Sequence, residues 1–250
     1  MPDRRKHRGP HPEDTRLFDR SVWPCLQQAV AHLSWLLTRG YAIDSSLKLV
    51  GDRLQLDARQ RLAVRRSACS DQSLAHRART HVPWGDVAGQ VLDIDGFNVL
   101  TTVEAAMGGG ILLQGRDDCV RDMASMHGSY RKVAETLPAI EAIGQLLASL
   151  APARCVWWLD RPVSNSGRVS TLLLQLAAEN GWPWQAELVF DPDATLRGTS
   201  GIVVSADSLV LDGCAAWLNL AKALVGSMGE RAWVVPLGVG PESHEAGTGV

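Results

Sequence analysis

Residues 91–100 read VLDIDGFNVL, and this stretch decides how the rest of the chain is interpreted. Its apolar run stops at Gly96, as a buried strand does where the chain turns. In open α/β sheets, ligands bind beyond the carboxyl ends of the strands, so Asp95 is expected to face a cleft. Asp93 lies two residues earlier and is expected on the same side, one pleat deeper. A simpler interpretation stays open, in which Asp95 only caps the next helix.

The composition is that of a globular protein, with 46% hydrophobic and 21% charged residues in a chain of 250. No apolar run approaches the roughly 18 residues that a membrane span needs. The basic start, MPDRRKHRGP, has no apolar segment behind it, so we expect no secretory signal. Five scattered cysteines without a CxxC pair indicate neither a zinc knuckle nor a disulfide framework. The sequence therefore predicts a cytoplasmic protein that does not enter a membrane.

Charge is distributed unevenly along the chain. Residues 1–80 hold 15 Lys+Arg against 8 Asp+Glu, whereas the remaining residues hold 10 against 19. This asymmetry is typical of a basic part that holds a polyanion, followed by an acidic part that holds metal. The alternative is that the arginines only keep the surface of a small helical domain solvated.

The pattern along the chain predicts two folded domains. Amphipathic spacing indicates helices from residue 14 to residue 80, with Gly40 ending the first and Asp57 capping another. Residues 75–84, which include Pro83, are interpreted as a linker. The predicted order is a disordered basic tail (1–13), a basic helical domain (14–80), an α/β domain (86–237) and a flexible tail (238–250).

After the linker, strands alternate with helices. Predicted strands cover residues 90–94, 111–114, 155–159, 187–190, 202–205 and 232–236, and predicted helices cover 99–107, 130–150, 167–179 and 214–228. Apolar strands without strict alternation, separated by amphipathic helices, favour a mainly parallel sheet covered on both faces. The predicted fold class is therefore α/β, with three layers in the larger domain.

Several predicted strands end in an acid. Asp95, Asp160 and Asp207 follow the first, third and fifth strands, and Asp191 and Asp193 follow the fourth. Parallel strands would bring these carboxylates to one edge of the sheet, where they stay ionised together only if cations neutralise them. Oxygen ligands suit Mg²⁺ or Mn²⁺, so the sequence predicts one of these ions as cofactor. The alternative is a coincidental set of turns and caps.

The same residues carry a resemblance to a known family. DGFN at 95–98, WWLD at 157–160 and VVSAD at 203–207 resemble the PIN-like nucleases, especially their NYN branch. The whole chain also resembles an uncharacterised prokaryotic family, catalogued as domain of unknown function 434 joined to a PIN-like C-terminal domain. The stretches that carry this second resemblance are 47–61, 95–109, 121–131 and 159–167. The resemblance implies a Rossmann-like, three-layer α/β domain with a nuclease site.

Carried over to this chain, the resemblance implies a set of site residues. The implied catalytic residues are Asp95, Asp160, Asp207 and Glu104, and the implied metal ligands are Asp95, Asp160, Asp207 and Asp193. Asn98 would orient the central ligand and contact substrate, with Ser205 hydrogen-bonding nearby. For Glu104 the alternative is an ordinary exposed helix glutamate, and Asp193 is a weaker candidate because Asp191-Pro192 can simply shape a turn.

Further residues are candidates for binding substrate. Ser164, Asn165 and Ser166 precede a helix, where side chains and free backbone N–H groups suit an anion. A cap without a ligand is the alternative there. The remaining candidates are Arg121 and His127 as lining of the cleft, and Arg61 and Arg65 as contacts to backbone phosphates.

Three functions follow from these patterns. The leading hypothesis is a divalent-metal-dependent nuclease, with RNA as partner and the basic helices gripping its backbone. A PIN-like fold that binds RNA or assembles without cleavage is the second. The nuclease requires Asp95, Asp160 and Asp207 to converge, so a structure that placed them at opposite rims, or paired each with its own arginine, would exclude it.

A phosphatase of the HAD type is the third hypothesis. DIDG at 93–96 fits the nucleophile loop of that family, with Asp93 as nucleophile and Asp95 as general acid, and Asp207 and Asp212 resemble its late acids. Phe97 departs from the usual loop. No lysine occurs between Lys132 and Lys222, where the phosphate-binding lysine would fall.

Overall fold

The structure is a computed structural model and describes residues 7–123 and 130–238. Predictions for His127, for residues 1–6 and for residues 239–250 lie outside the described part. The helices are α1 (Asp14–Leu17), α2 (Trp23–Thr38), α3 (Ile43–Arg53), α4 (Ala58–Ser67), α5 (Asp71–Thr80), α6 (Gly96–Met107), α7 (Thr136–Ser149), α8 (Ser166–Asn180), α9 (Pro192–Gly198), α10 (Ser208–Leu211) and α11 (Leu220–Met228). The strands are β1 (Val91–Asp95), β2 (Ile111–Gln114), β3 (Val120–Asp122), β4 (Arg154–Asp160), β5 (Trp184–Val189), β6 (Ile202–Val204), β7 (Trp217–Leu218) and β8 (Trp233–Pro236).

The N-terminal part is helical, as its apolar spacing predicts. Gly40 has a φ of +80° just beyond α2, a backbone conformation that glycine adopts without strain. Asp57 forms a capping box with Gln60 at the start of α4. The predicted linker at 75–84 is wrong over its first half, because α5 continues to Thr80. Among the described helices, none is long and apolar enough to cross a membrane.

The main sheet of the described chain has five parallel strands in the order β5-β4-β1-β6-β7. In its register Asp95 lies beside Trp158, and Ile94 lies beside Val204. The carboxyl ends of β4, β1 and β6 therefore lie side by side at one edge. This is the arrangement that the strand-ending acids predict.

Two predicted strands lie outside this sheet. β2 and β8 pair in parallel with each other, and β3 joins β2 antiparallel to complete a separate three-stranded sheet. The prediction of one sheet for the α/β domain is therefore wrong. The physical reason is that the apolar side chains of β2 and β8 pack against the N-terminal helices instead of the main sheet. β3 and β7 were not predicted, and β7 replaces the start of the helix expected at 214–228.

The N-terminal helices share a hydrophobic core with the small sheet. Buried side chains of α2 and α4 pack with buried side chains of β2 and β8, and the shared set includes Leu26, Val30, Val64, Ile111, Leu113 and Val235. The predicted boundary near residue 80 therefore does not coincide with a boundary between hydrophobic cores. Burial of this continuous apolar surface stabilises the two parts together.

The main sheet is covered unequally on its two faces. Helices α6, α7 and α8 pack on one face, where Ile94 and Trp157 are fully buried. On the other face, α9 and α10 cover the β6 side, but Gln185 and Glu187 of β5 are exposed. The prediction of a sheet covered on both faces is therefore only partly right. The polar side chains that alternate along β5 are the physical reason, since they lie on the open face.

Candidate functional site

Four of the sequence-predicted acids line one cleft at the carboxyl edge of the main sheet. The cleft has a volume of about 790 Å³ and lies between this edge and the N-terminal helices. Asp95 ends β1, Asp160 ends β4, Asp193 lies in the first turn of α9 and Asp207 caps α10. The structure thus brings together the four residues that the sequence analysis named as metal ligands.

Asp95 is the most buried of the four, at 8% exposure. Its Oδ2 accepts a hydrogen bond of 2.7 Å from the Ser205 hydroxyl. The pKa of Asp95 is raised to about 7, chiefly by burial and also by the nearby carboxylates of Asp207 and Asp193, while the hydrogen bond from Ser205 opposes the shift. Such a group is costly to ionise unless a positive charge lies beside it.

The pKa values of two neighbouring acids, Asp160 and Asp193, are raised as well. Burial raises the pKa of Asp160, and Asp191 adds to the shift. Burial also raises the pKa of Asp193, and so do Asp207 and Asp160. These carboxylates therefore lie close enough to repel one another, which is the property that the strand-end pattern predicts.

A short hydrogen-bonded chain joins the tip of β1 to residues 205–207. Asn98 Oδ1 accepts a bond of 2.9 Å from the Ala206 N–H, and Ser205 Oγ accepts one of 2.9 Å from the Asp207 N–H. Asp207 Oδ1 in turn accepts from the N–H of Leu209 at 2.8 Å. Asp207 thus caps α10, whereas Asp95 lies at the N-cap position of α6 without a side-chain capping hydrogen bond. Asn98 fixes the loop that carries Asp207.

None of the four acids has an ion pair with Lys, Arg or His within residues 7–123 and 130–238. Other buried carboxylates do have one, for example Asp14 with Arg59 and Asp117 with Arg77. On the opposite wall of the cleft, Arg65 of α4 pairs with the exposed Asp44, and the Arg66 guanidinium donates to the Asp122 carbonyl at 2.6 Å. The cleft therefore has an acidic wall and a wall with arginines.

A buried charge cluster lies at the junction between α5, β3 and the cleft. The carboxylate of Asp117 is held by Arg77 and by both terminal nitrogens of Arg121, at 2.8 and 2.6 Å. Arg121 Nε also donates to the Ala206 carbonyl at 2.6 Å. Arg121 was predicted to bind substrate, but its guanidinium is occupied by these partners, so that role is not supported. Arg77 and Asp117 escaped the sequence analysis because nothing local marks a pair 40 residues apart.

Glu104 does not reach the cleft. It is fully buried in α6, and its oxygens accept hydrogen bonds from Arg8, Tyr130 and Thr136, the last at 2.5 Å. Neither the predicted catalytic role nor the alternative of an exposed helix glutamate fits this position. Glu104 instead ties α6 to the segments around Arg8 and Tyr130.

The predicted anion site at 164–166 is occupied by the protein itself. Ser166 is buried and its hydroxyl donates to the Asp160 carbonyl at 2.5 Å, while the Asn165 amide donates to the Tyr130 carbonyl at 2.8 Å. The Ser164 carbonyl accepts from the Tyr130 N–H at 3.2 Å. Because these groups bond to the segments around Tyr130 and Asp160 and do not line the cleft, a phosphate site at 164–166 is not supported. Asn165 lies at the N-cap position of α8, but its side chain makes no capping hydrogen bond there.

Arg61 is also turned away from the cleft. It pairs with Asp52 at 2.8 Å, and its Nε donates to the Leu56 carbonyl at 2.9 Å. Asp93 lies in a different cavity, of about 470 Å³, with Trp158 Nε1 at 2.9 Å and Thr199 Oγ1 at 2.5 Å from its oxygens. Asp93 is therefore not placed to act with Asp95 as the phosphatase hypothesis requires.

The family of the chain follows from comparison with known sequences. Residues 85–223 match the model of the family described as Domain of unknown function (DUF5616). The chain belongs to this family. A second model, Protein of unknown function (DUF434), matches residues 25–79 and thus bears out the resemblance of the helical part.

A relative of this DUF5616 protein is the Uncharacterized protein MJ0935 of Methanocaldococcus jannaschii. It is 26% identical over 186 residues, which cover 74% of this chain and 88% of the relative. No solved structure matches the chain. The residues of the cleft, rather than a relative of known activity, therefore carry the functional argument for this DUF5616 member.

The acids of the DUF5616 part offer a donor set that fits a hard divalent cation. All four are carboxylates, and oxygen ligands are those that Mg²⁺ and Mn²⁺ prefer. Within the described ranges, no three His, Cys, Asp or Glu side chains stand close enough to form a ready-made metal site. Asp95, Asp160, Asp193 and Asp207 therefore offer the oxygen ligands that such an ion prefers, but in this structure no three of them form a coordination group.

Gly96, the residue after Asp95, packs so closely against β4 that there is no room for a side chain. A Cβ at Gly96 would lie 2.5 Å from Leu159 Cδ2 and 2.9 Å from the Trp158 carbonyl oxygen. We expect Gly96→Ala to lower the free energy of unfolding by about 1–3 kcal/mol, because the backbone of β4 must move. Urea unfolding at pH 7 measures this effect.

Gly167→Ala is the matched control for Gly96→Ala. Gly167 also lies in the first turn of a helix, but a Cβ added there would have no atom within 4 Å. We expect this variant to be neutral or more stable by up to about 1 kcal/mol. Equal unfolding midpoints for the two variants would contradict the close packing of Gly96 on β4.

Proposed function

We propose that this chain is a divalent-metal-dependent nuclease of PIN-like type that hydrolyses phosphodiester bonds in RNA. The observation that carries the proposal is the convergence of four carboxylates in one cleft, without an ion-pairing partner in the described part of the chain. Neither condition that would exclude the nuclease is met. The acids do not lie at opposite rims, and they are not each neutralised by an arginine.

In this proposal the acidic residues hold the metal ion, and two polar neighbours position them. Asp95, Asp160 and Asp207 would hold a Mg²⁺ or Mn²⁺ ion, with Asp193 beside them. Bound there, such an ion lowers the pKa of an attacking water and stabilises the leaving oxygen. Ser205 orients Asp95 through its 2.7 Å hydrogen bond, and Asn98 holds the loop that presents Asp207.

Arg65 on the opposite wall of the cleft can bind a phosphate of the RNA backbone. Arg65 pairs with Asp44, whose side chain is 82% exposed, and exposed ion pairs contribute little free energy. A phosphate of the RNA backbone can therefore replace Asp44 at low cost. This contact does not depend on the base sequence of the RNA, and its contribution to the binding affinity should weaken as the salt concentration increases.

Cleavage by two variants tests the proposal. The purified chain is incubated with single-stranded and structured RNA in the presence of Mg²⁺ or Mn²⁺, and product formation is followed. We expect Asp95→Asn and Asp207→Asn each to reduce the cleavage rate at least about a hundredfold, because the loss of a charged ligand removes both ion affinity and its orientation.

The exposed Asp86 provides a matched control, since Asp86→Asn makes the same chemical change outside the cleft. We expect this variant to cleave like the unmodified chain. Cleavage that survives the combined Asp95→Asn and Asp207→Asn change would refute the proposal.

A second candidate function is RNA binding without cleavage. Two observations favour it: the described side chains form no ready-made three-ligand group, and Asp207 Oδ1 is occupied in capping α10. For this function we expect salt-sensitive RNA binding with no metal-dependent product. The same assay, combined with a binding measurement at two salt concentrations, separates the two candidates.

A further inference from the structure

An exposed aromatic side chain lies beside the acidic cleft and has no role in the site described so far. Phe190 directly follows β5 and is 73% exposed, more than any other large hydrophobic residue of the described part. The guanidinium carbon of Arg161 lies 5.0 Å from the centre of its ring. Single exposed apolar side chains are common on protein surfaces, so the pairing of this ring with a guanidinium is the feature that distinguishes Phe190.

Phe190 and Arg161 are placed by the ends of two neighbouring strands. Arg161 directly follows Asp160 at the end of β4, and its backbone N–H donates to the Val189 carbonyl at 2.7 Å. Phe190 directly precedes Asp191, which is close enough to Asp160 to raise the pKa of that residue. The ring and the guanidinium therefore lie next to the acidic cleft.

Arg161 is a cation without an ion pair among the described residues, although it directly follows Asp160 in the chain. Its Nη2 donates to the Leu188 carbonyl at 3.1 Å, which holds the guanidinium near Phe190. The exposed side chain keeps further N–H groups for a ligand, because a guanidinium has five. An aromatic face beside a free guanidinium is the chemistry that binds a nucleotide, through stacking on the base and contact with a phosphate.

We propose that Phe190 and Arg161 form a stacking platform for one nucleotide of single-stranded RNA at the mouth of the acidic cleft. This inference rests on the proposed function, since it needs RNA as the ligand. The base stacks on Phe190, and Arg161 contacts the adjacent phosphate. The acidic cleft itself repels the phosphates of the RNA backbone, whereas the Arg161 guanidinium attracts them.

The platform would also make the site prefer single-stranded to double-stranded RNA, which phosphate contacts alone do not distinguish. A double-stranded RNA keeps its bases stacked on one another, so no base face is available for Phe190. Stacking accepts every base, since each has a flat face. We therefore expect a preference for single-stranded over paired RNA and little preference for sequence.

Binding in the absence of divalent metal tests the platform separately from catalysis. The probe is a single-stranded 12-nucleotide RNA with one 2-aminopurine, whose fluorescence falls when the base stacks, mixed with the full chain in EDTA. We expect quenching by the unmodified chain. Phe190→Ala should remove the quenching and weaken binding about tenfold, whereas Phe190→Trp should retain both.

Arg161→Gln and Leu174→Ala complete the set. Arg161→Gln should weaken binding and reduce its dependence on salt, because one phosphate contact is lost. Leu174 is an exposed apolar residue of α8, and Leu174→Ala should bind like the unmodified chain. In the cleavage assay, Phe190→Ala should raise KM and leave kcat nearly unchanged.

The outcomes separate the platform from the nuclease. RNA cleavage together with unchanged binding and quenching by Phe190→Ala overturns the platform and leaves the nuclease standing. Quenching that depends on Phe190, without metal-dependent cleavage, supports the platform and refutes catalysis. Unchanged RNA binding with loss of self-association in Phe190→Ala assigns the ring to a protein contact and overturns the platform.

Discussion

Asp117→Asn is expected to lower the free energy of unfolding by about 3–5 kcal/mol at pH 7. The variant leaves Arg77 and Arg121 as buried cations, at 2% and 7% exposure, without the carboxylate that both share. Arg77 keeps its ion pair with Asp212 at 2.7 Å, but Arg121 loses the carboxylate that both of its terminal nitrogens bind. A neutral amide keeps one acceptor but no charge, so it cannot offset the cost of burying the Arg121 guanidinium. Because Arg121 also holds the Ala206 carbonyl, the loop that presents Asp207 should loosen.

The effect of Asp117 on stability should depend on pH in a defined direction. Burial opposes the ionisation of Asp117, but Arg121 and Arg77 outweigh it and hold its pKa well below the ordinary range. A depressed pKa contributes stability above the unfolded value of about 3.9, and this contribution is lost as the pH falls below it. The difference between Asp117→Asn and the unmodified chain should therefore shrink in acid.

Asp118→Asn is the matched control for this experiment. Asp118 is the next residue, and it pairs with Lys222 at an exposed position, where an ion pair contributes about 0–1 kcal/mol. Asn also tolerates the φ of +63° at this position. Urea unfolding of both variants at pH 7 and at about pH 3, below the unfolded pKa, gives the comparison. Equal unfolding midpoints for the two variants at pH 7 would show that the buried cluster of Asp117, Arg77 and Arg121 does not stabilise the fold.

Asp95→Asn is expected to act in the opposite direction and to stabilise the metal-free protein by about 2–4 kcal/mol at pH 8. Burial raises the pKa of Asp95 to about 7, above its ordinary value. Below about pH 4 the carboxyl is neutral in both the folded and the unfolded chain, so it carries no penalty. The stability of the unmodified chain should fall as the pH rises from there to 7, and then stay constant.

Divalent metal should reverse this order of stability. An ion that binds only the folded chain raises its stability with concentration, and Asp95 is the ligand with most to gain from a positive charge. Thermal unfolding is followed at pH 8, first in EDTA and then with increasing Mn²⁺. We expect the unmodified chain to be stabilised by Mn²⁺ and the Asp95→Asn variant to respond little.

The control for Asp95 is again Asp86→Asn, which changes an exposed carboxylate. It should follow the unmodified chain in EDTA and in Mn²⁺. If Asp95→Asn were less stable than the unmodified chain in EDTA at pH 8, Asp95 would not be a strained carboxylate. If both variants and the unmodified chain gained equally from Mn²⁺, the ion would bind elsewhere.

The position of the acidic cleft could be predicted from the sequence because it needs only short-range information. Asp95, Asp160 and Asp207 each follow an apolar run, and parallel strands bring such positions to one edge. The distribution of strands over two sheets could not be predicted in this way. β2 and β8 are apolar runs like β1 and β6, and only long-range packing on the N-terminal helices distinguishes them.

The failures at individual side chains have a common physical cause. Three predicted site residues carry a suitable charge, but each binds another side chain instead of lining the cleft as a free group. Glu104 binds Thr136, Arg121 binds Asp117, and Arg61 binds Asp52. Asp93 has an acid's chemistry but lines a different cavity from the acidic cleft. Charge type is visible in a sequence, whereas the partner that occupies a charge is fixed only by tertiary packing.

The hydrophobic core that joins α2 and α4 to β2 and β8 constrains how this protein can change through evolution. β8 follows the last residue matched by the DUF5616 model, and the helices precede its first, so neither matched segment encodes a complete interior. Recombination between the two segments would leave each with an uncovered apolar face. We therefore expect the two segments to be inherited together in one chain.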